Sequence, residues 1–243
     1  MSEYKCALVT GATSGIGLAI TKRLLSMDYT VLGIGRDFSK TRDLGTAFVE
    51  VPVELTNRSM TVAVLSRIRE AYGKRLSLLV NNAGCAYYGI HESLKPEQIA
   101  EIGDVDLTMP MVITNLLLPA IRENRGTIVN ISSVTALSAS PHAAAYGAAK
   151  AGLVSFTRSL FAEERKHGVK VCAILPDLTD TNLYRNADFE ADRSEGCCLL
   201  PDDVADALMF LLTHDFNTSE IVLQPQYNRI AKKKDETEET RDQ

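Results

Sequence analysis

Short apolar runs alternate with longer segments of helical periodicity along the chain. Cys6-Ala7-Leu8-Val9 is a strand-like run that ends at Thr10-Gly11. Ile16 to Met27 follows, with Ile16, Ala19, Ile20 and Leu24 at helical spacing. Val31 to Ile34 reads as a second strand and Phe48 to Val51 as a third. Asn57 is placed to cap a helix that runs through Tyr72. Leu76 to Val80 is a fourth strand. Pro96 to Ile121 is helical for much of its length, with Pro110 and Pro119 as local interruptions. Thr127 to Ile131, Val169 to Leu175 and Glu220 to Leu223 are further strands. Ala144 to Arg165 and Asp202 to Leu212 are further helices.

The strands are near-continuous apolar runs, as expected where helices cover both faces of a parallel sheet. Alternation of this kind predicts an α/β fold with a doubly wound parallel sheet, a Rossmann fold. No repeat and no long linker divides the chain, so residues 1–230 are expected to form one domain. Thr181 to Leu200 shows no clear element; a loop of that length in a compact domain is often a lid. Residues 231–243, with Lys232-Lys233-Lys234 followed by Asp235, Glu236, Glu238 and Glu239, have the composition of a solvated, disordered tail.

The 243 residues carry a formal net charge of -5, which gives no global attraction for nucleic acid or anionic lipid. No apolar run approaches the roughly 20 residues of a membrane span, and the first residues lack the succession of a signal peptide. The expected setting is cytoplasmic. Five cysteines, Cys6, Cys85, Cys172, Cys197 and Cys198, show no zinc or CxxC spacing. Cys6 and Cys172 sit in strands and read as small core residues. His91, His142, His167 and His214 are scattered and form no metal pattern.

The chemistry begins after the first strand. Thr10-Gly11-Ala12-Thr13-Ser14-Gly15-Ile16-Gly17 joins that strand to the first helix. Glycines permit the tight turn and the close approach of backbone to a pyrophosphate, and the helix N-terminus supplies free N–H groups. The position between strand and helix, at the start of a βαβ unit, is the context such a nucleotide site requires. Tyr146 and Lys150 lie four apart in a helical segment and so share a face.

TGxxxGIG is the spacing of the short-chain dehydrogenase/reductase family, which this sequence resembles from about residue 5 to 225. Asn81-Asn82-Ala83-Gly84 resembles its NNAG motif, Asn130-Ile131-Ser132-Ser133 its serine-bearing strand end, and Tyr146-Gly147-Ala148-Ala149-Lys150 its YxxxK. The resemblance implies an oxidoreductase that moves a hydride between a nicotinamide cofactor and a carbonyl/alcohol pair. It implies cofactor contacts from Gly11, Thr13, Ser14, Ile16, Gly17, Glu54, Leu55, Asn82, Ala83, Gly84, Tyr146, Lys150, Pro176, Thr179 and Thr181. An acidic residue at the end of the second strand binds the ribose 2′-hydroxyl, whereas an arginine accommodates a 2′-phosphate. Gly35 holds the acidic position here and Arg36 follows it, so NADP(H) is the expected cofactor.

By the same resemblance Tyr146 is the general acid/base. An ordinary tyrosine pKa of about 10 must come nearer to the operating pH; a nearby ammonium and an oxidised nicotinamide favour tyrosinate. Ser133 orients the substrate oxygen, with Ser132 as the neighbouring alternative, and Lys150 holds the nicotinamide ribose and relays the proton. Two positions depart from the family. Asp106 stands where asparagine is usual, adding a negative charge that can tune Lys150, and Pro176-Asp177 replaces Pro-Gly. These departures leave a non-catalytic NADP(H)-binding or sensor protein as the rival reading. Tyr87, Tyr88, His91, His142, Tyr184 and the loop to Leu200 are expected around a small-molecule carbonyl or alcohol. A homotetramer or homodimer is expected through Pro96–Ile121 and Ala144–Arg165, each with more apolar residues than one face needs.

Overall fold

The computed structural model describes residues 5–227 and 229–233. Its first half runs β1 (Cys6–Thr10), α1 (Gly15–Ser26), β2 (Thr30–Gly35), β3 (Phe48–Pro52), α2 (Arg58–Tyr72) and β4 (Leu76–Asn81). Then come α3 (Pro96–Gly103), a π-helical turn (Asp104–Thr108), α4 (Met109–Glu123), β5 (Thr127–Ile131) and α5 (Ala144–Glu164). β6 (Lys170–Pro176), β7 (Phe189–Ala191), α6 (Pro201–Thr213), β8 (Glu220–Leu223) and β9 (Ile230–Lys232) complete it. Seven parallel strands form one sheet in the order β3-β2-β1-β4-β5-β6-β8. This is the doubly wound Rossmann arrangement that the alternation predicts.

The register explains the apolar runs. Leu8, Leu32, Leu79, Ile128 and Val171 point to one face, where Leu65, Ile68, Ile113, Leu117, Ile121 and Leu160 of α2, α4 and α5 cover them. Their neighbours Val9, Val31, Val80, Val129 and Cys172 point to the other face, under Ile20 and Leu24 of α1 and Val204, Leu208 and Leu211 of α6. Asn57 caps α2 as expected, its side chain accepting from the Met60 N–H at 3.1 Å. Pro110 is the second residue of α4, directly after the π-helical turn. Pro119 lies inside α4 without ending it. The buried Ile113, Leu117, Ala120 and Ile121 hold the helix to the core on either side of that proline.

Helix and π-helical turn are continuous from Pro96 to Glu123, a stretch of 28 residues that is long and apolar enough to cross a membrane by length and composition alone. Glu97, Glu101, Asp104, Asp106, Arg122 and Glu123 punctuate it, so it is not one unbroken apolar run. Half of its apolar window is buried inside the fold.

The stretch without a clear element holds a 3-10 turn (Asn182–Asn186) and β7. β7 pairs antiparallel with β9. Residues 231–233, assigned above to the tail by composition, are thus ordered by a pairing that composition does not report. Residues 234–243 of that expected tail lie outside the described residues. Cys6, Cys85, Cys172 and Cys197 are buried and Cys198 is half-buried, all as free thiols. Burial pushes the Cys6 and Cys172 thiols up to about 12.

Candidate active site

A cleft of about 250 Å³ opens at the C-terminal ends of the strands, around the point where the strand order reverses between β1 and β4. The loops after β1, β2, β3, β4, β5 and β6 all contribute to it.

The glycine turn after β1 forms one wall. Gly11 has φ +65°, a region that side chains disfavour, and a Cβ there would lie 3.0 Å from the Ala83 backbone. A Cβ at Gly17 would lie 2.1 Å from the Gly11 carbonyl oxygen. The turn therefore presses against the loop after β4, and that loop is tied to it. Asn82 Nδ2 donates to the Thr10 carbonyl at 2.8 Å, while Thr10 Oγ1 accepts from the N–H groups of Asn82 and Ala83, both at 2.9 Å. Ser14 takes the N-cap position of α1 with no side-chain capping bond. Its hydroxyl and the first-turn N–H groups are free for an anion.

At the end of β2 a Cβ on Gly35 would come within 2.5 Å of Thr13 Cγ2, so a larger side chain there would have to displace that methyl. Arg36 lines the rim and pairs with Glu54 at 3.3 Å, both well exposed. Asp37 is committed to its own turn. It accepts from the Ser39 N–H at 2.9 Å and from the Ser39 hydroxyl at 3.0 Å, and these bonds hold its carboxyl below the usual range.

The opposite end of the cleft carries Ser133, Tyr146 and Lys150. Tyr146 and Lys150 share the inner face of α5, with Lys150 Nζ 5.6 Å from the centre of the Tyr146 ring. Lys150 Nζ donates to the Ile131 carbonyl at 2.9 Å and sits 3.0 Å from Asp106 Oδ1, close enough for an ion pair although not aligned as a hydrogen bond. Asp106 lies in the π-helical turn, fully buried, and its other oxygen accepts from the Cys85 N–H at 3.0 Å. Burial raises the Asp106 carboxyl above its ordinary value, opposed by Lys150 and by that N–H. Ser132 is occupied elsewhere, donating to the Lys150 carbonyl at 3.1 Å. Ser133 keeps its hydroxyl on the cleft, where it accepts only from the Thr135 N–H at 3.2 Å.

Burial pushes the Tyr146 phenol well above its ordinary value, nearby Tyr88, Asp106 and Tyr184 add to the rise, and the neighbouring Ser133 hydroxyl pulls the other way. Lys150 has Asp106 beside it, so its positive charge is largely spent locally.

The chain matches the short chain dehydrogenase family over residues 5–191. It belongs to that family. Relatives along nearly the whole length include an uncharacterized oxidoreductase of Staphylococcus epidermidis, 30% identical over 92% of this chain and 98% of the relative. The acetoacetyl-CoA reductase of Paracoccus denitrificans is 31% identical over 87% of this chain and 91% of its own. Among solved structures, a metagenomic short-chain oxidoreductase in complex with NADP superposes with a TM-score of 0.77 at 29% identity, covering 91% of this chain and 97% of that one. The 3-ketoacyl-(acyl-carrier-protein) reductase of Brucella melitensis, complexed with NADH, does so at 0.81 and 26% identity, covering 93% and 99%. As a short-chain dehydrogenase the chain is an oxidoreductase of the class that uses NAD(H) or NADP(H).

Most residues singled out from the sequence meet in this cleft. Gly11, Thr13, Ser14, Ile16, Arg36, Glu54, Leu55, Asn82, Ala83, Gly84, Ser133, Tyr146, Lys150, Pro176, Thr179 and Thr181 all line it. Gly17 and Asp106 do not; Gly17 packs behind the turn and Asp106 behind Lys150. Tyr88 and Tyr184 join Phe189 in an aromatic cluster beside Tyr146. Tyr87 donates to Glu101 at 2.6 Å. His91 and His142 are not on the cleft: His91 begins a short turn, and His142 has φ +65° in the turn before α5.

Sequence reasoning missed Cys85 and Glu101, which line the cleft; Leu183 and Arg185 line it too, inside the Thr181–Leu200 loop expected there. It also missed a buried polar chain beneath it. Asn81 Nδ2 donates to Asn130 Oδ1 at 2.8 Å and to Thr114 Oγ1 at 3.1 Å, and Asn130 Nδ2 donates to Thr157 Oγ1 at 2.8 Å. These bonds fix α4 and α5 to the strand ends that carry the site. Asparagines inside apolar strands were the available signal, since a buried amide needs partners.

Proposed function

We propose that this short-chain dehydrogenase is an NADP(H)-dependent carbonyl reductase, or in reverse an alcohol dehydrogenase. The observation that carries the reading is that the buried Tyr146 and the Ser133 hydroxyl line the same end of the cleft, with Lys150 behind the Tyr146 ring. When bound, the reduced nicotinamide supplies a hydride to the carbonyl carbon. Ser133 donates a hydrogen bond that orients the carbonyl oxygen, and Tyr146 delivers the proton to that oxygen. Lys150, held in place by Asp106 and the Ile131 carbonyl, would hold the ribose hydroxyls of the cofactor and relay a proton from water to the tyrosinate, ending with the charge it began with.

The residues fit such a cofactor. The glycine turn leaves a cradle that a Cβ would fill, and α1 offers unpartnered N–H groups. The absence of an acid at Gly35, the exposed Arg36 and the commitment of Asp37 to Ser39 all favour a 2′-phosphate over a free 2′-hydroxyl. Glu54 beside Arg36 opposes it, and the pair is exposed and weak.

The relative named as an acetoacetyl-CoA reductase and the neighbour named as a 3-ketoacyl carrier-protein reductase make 3-oxoacyl thioesters the first substrates to test. The protein is mixed with NADPH and acetoacetyl-CoA, then with a panel of simple ketones, aldehydes and alcohols, and nicotinamide absorbance is followed. Turnover of any panel member supports the reading. NADPH binding with no turnover throughout favours a non-catalytic binding or sensor role, for which the Asp106–Lys150 pair is the supporting observation.

A cytoplasmic setting, where soluble nicotinamide cofactors act, is part of the proposal, as is assembly into a homotetramer or homodimer. Partly buried Val112, Leu116, Leu118, Phe156 and Phe161 on α4 and α5 support assembly. A monomer by light scattering at micromolar concentration contradicts it.

A further inference from the structure

The cleft wall formed by Leu183, Tyr184 and Arg185 is held from outside by the far end of the described chain. Lys233 Nζ donates to the carbonyls of Tyr184 at 2.7 Å, Arg185 at 3.2 Å and Ala187 at 2.8 Å. An ammonium has three N–H donors, and all three are used. The acceptors lie at the C-terminal end of the 3-10 turn Asn182–Asn186, where the Tyr184 carbonyl also accepts from the Ala187 N–H at 3.0 Å and a cation is favoured. Backbone bonds reinforce the contact. β9 pairs with β7, the Lys233 N–H donates to the Asp188 carbonyl at 3.1 Å, and the Tyr227 N–H donates to the Gly196 carbonyl at 2.8 Å. The Lys233 side-chain links span 46 to 49 residues of sequence, so no local preference creates them.

The wall they hold reaches the reacting end of the cleft through aromatic rings. Phe189 packs edge-on against Tyr88 at 5.1 Å and beside Tyr184 at 5.4 Å. Tyr88 in turn lies 5.9 Å from Tyr184 and 6.3 Å from Tyr146 between ring centres. A shift of the Tyr184 backbone therefore reaches the surroundings of Tyr146 through two rings. It also moves Asn182 and Leu183, which line the cleft directly.

We infer that residues 229–233 are a strap over the substrate loop, and that Lys233 is the positioning residue that sets the Tyr184–Phe189 wall against the reacting end. The link to the reaction rests on the reductase reading above; the strap itself does not.

Hydrogen exchange on the full chain tests it, comparing the unmodified protein with Lys233→Ala, Lys233→Arg and Lys232→Ala. Lys232 sits beside Lys233 on β9 with an exposed side chain, so its variant removes the same charge without touching the three carbonyls. Losing three net-favourable hydrogen bonds predicts exchange at least about tenfold faster across residues 183–190 in Lys233→Ala. Exchange near the unmodified rate is expected in Lys232→Ala, with partial recovery in Lys233→Arg and unchanged protection in β1, β4 and β5.

The chain has no tryptophan, so Phe189→Trp adds a single reporter in the wall. Its emission is expected to move to the red when Lys233→Ala is added. Unchanged exchange and emission in Lys233→Ala overturn the strap, as does an equal effect of Lys232→Ala. NADPH titration of the same proteins separates the two readings: failure of the unmodified protein to bind NADPH removes the reductase, while exchange still decides the strap.

Discussion

Lys150 and Asp106 face each other at 3.0 Å with almost no solvent contact, 4% and 0% of their side chains exposed. The pair stands directly behind the Tyr146 ring. A buried charge is tolerated only when paired, and removing one partner is costly unless the other finds a new contact. Lys150 has such a contact, since it lines the cleft and donates to the Ile131 carbonyl.

Asp106→Asn therefore tests tuning rather than assembly. Asp106 is one of the charges that raise the Tyr146 phenol. Removing it lowers that pKa. Carbonyl reduction needs the protonated phenol, so its alkaline fall is expected to move to lower pH. Alcohol oxidation needs the tyrosinate, so its acid limb moves to lower pH as well. The rate at the optimum should change little, because the amide keeps an oxygen that accepts from Cys85. An unmoved pH–rate profile removes Asp106 from the tuning of Tyr146.

Arg36→Ala tests the cofactor reading. NADPH is expected to bind the unmodified protein more tightly than NADH. A charge-assisted hydrogen bond contributes about 1.5–3 kcal/mol, so the substitution should weaken NADPH by roughly tenfold to a hundredfold. NADH binding should hardly change. Titrations that give equal affinities for the two cofactors in the unmodified protein contradict the assignment.

The acid limit of stability has a separate origin. Glu164, 3% exposed in its side chain, receives a two-pronged contact from Arg122 through Nε at 2.9 Å and Nη2 at 2.6 Å. Those bonds hold the carboxyl below its ordinary 4.5 against the opposing effect of burial. A depressed acid pKa contributes stability that is complete above the unfolded value and is lost as pH falls through the folded value. Denaturant unfolding should thus show Glu164→Gln destabilised at neutral pH, with the gap to the unmodified protein closing below about pH 4.5. A gap that stays constant with pH refutes the charge-based account.

The layered fold was legible because its central strands are apolar on both faces, as a parallel sheet covered by helices on both sides requires. The glycine turn and the Tyr146–Lys150 spacing were legible because they are local in sequence. What escaped is nonlocal. Nothing near Lys233 in sequence hints at three carbonyls more than forty residues away. Its composition pointed instead to a solvated tail. The elevated Tyr146 phenol escaped for a related reason. Residue spacing shows Lys150 nearby, but not that Asp106 faces it or that Tyr88 closes the other side. Asn81 and Asn130 read as strand ends, although their amides form a buried bridge between neighbouring strands.

Tyr146→Phe is the test of the chemistry itself. It removes one oxygen and leaves the ring, which is 4% exposed and packed against Tyr88. The fold and NADPH binding should survive, because the glycine turn, Arg36 and the α1 terminus are untouched. A positioned general acid contributes about 10²–10⁴-fold, so turnover should fall by at least the lower figure. Ser133→Ala should also fall, since it removes the hydroxyl that orients the carbonyl oxygen and stabilises the tyrosinate left after proton transfer. Ser132→Ala should keep the chemistry, because its hydroxyl serves only the Lys150 carbonyl. Single-turnover absorbance with saturating NADPH separates these losses from changes in cofactor affinity. A Tyr146→Phe enzyme that still reduces its carbonyl at the unmodified rate would transfer the proton from elsewhere, and the assignment of Tyr146 would fall with it.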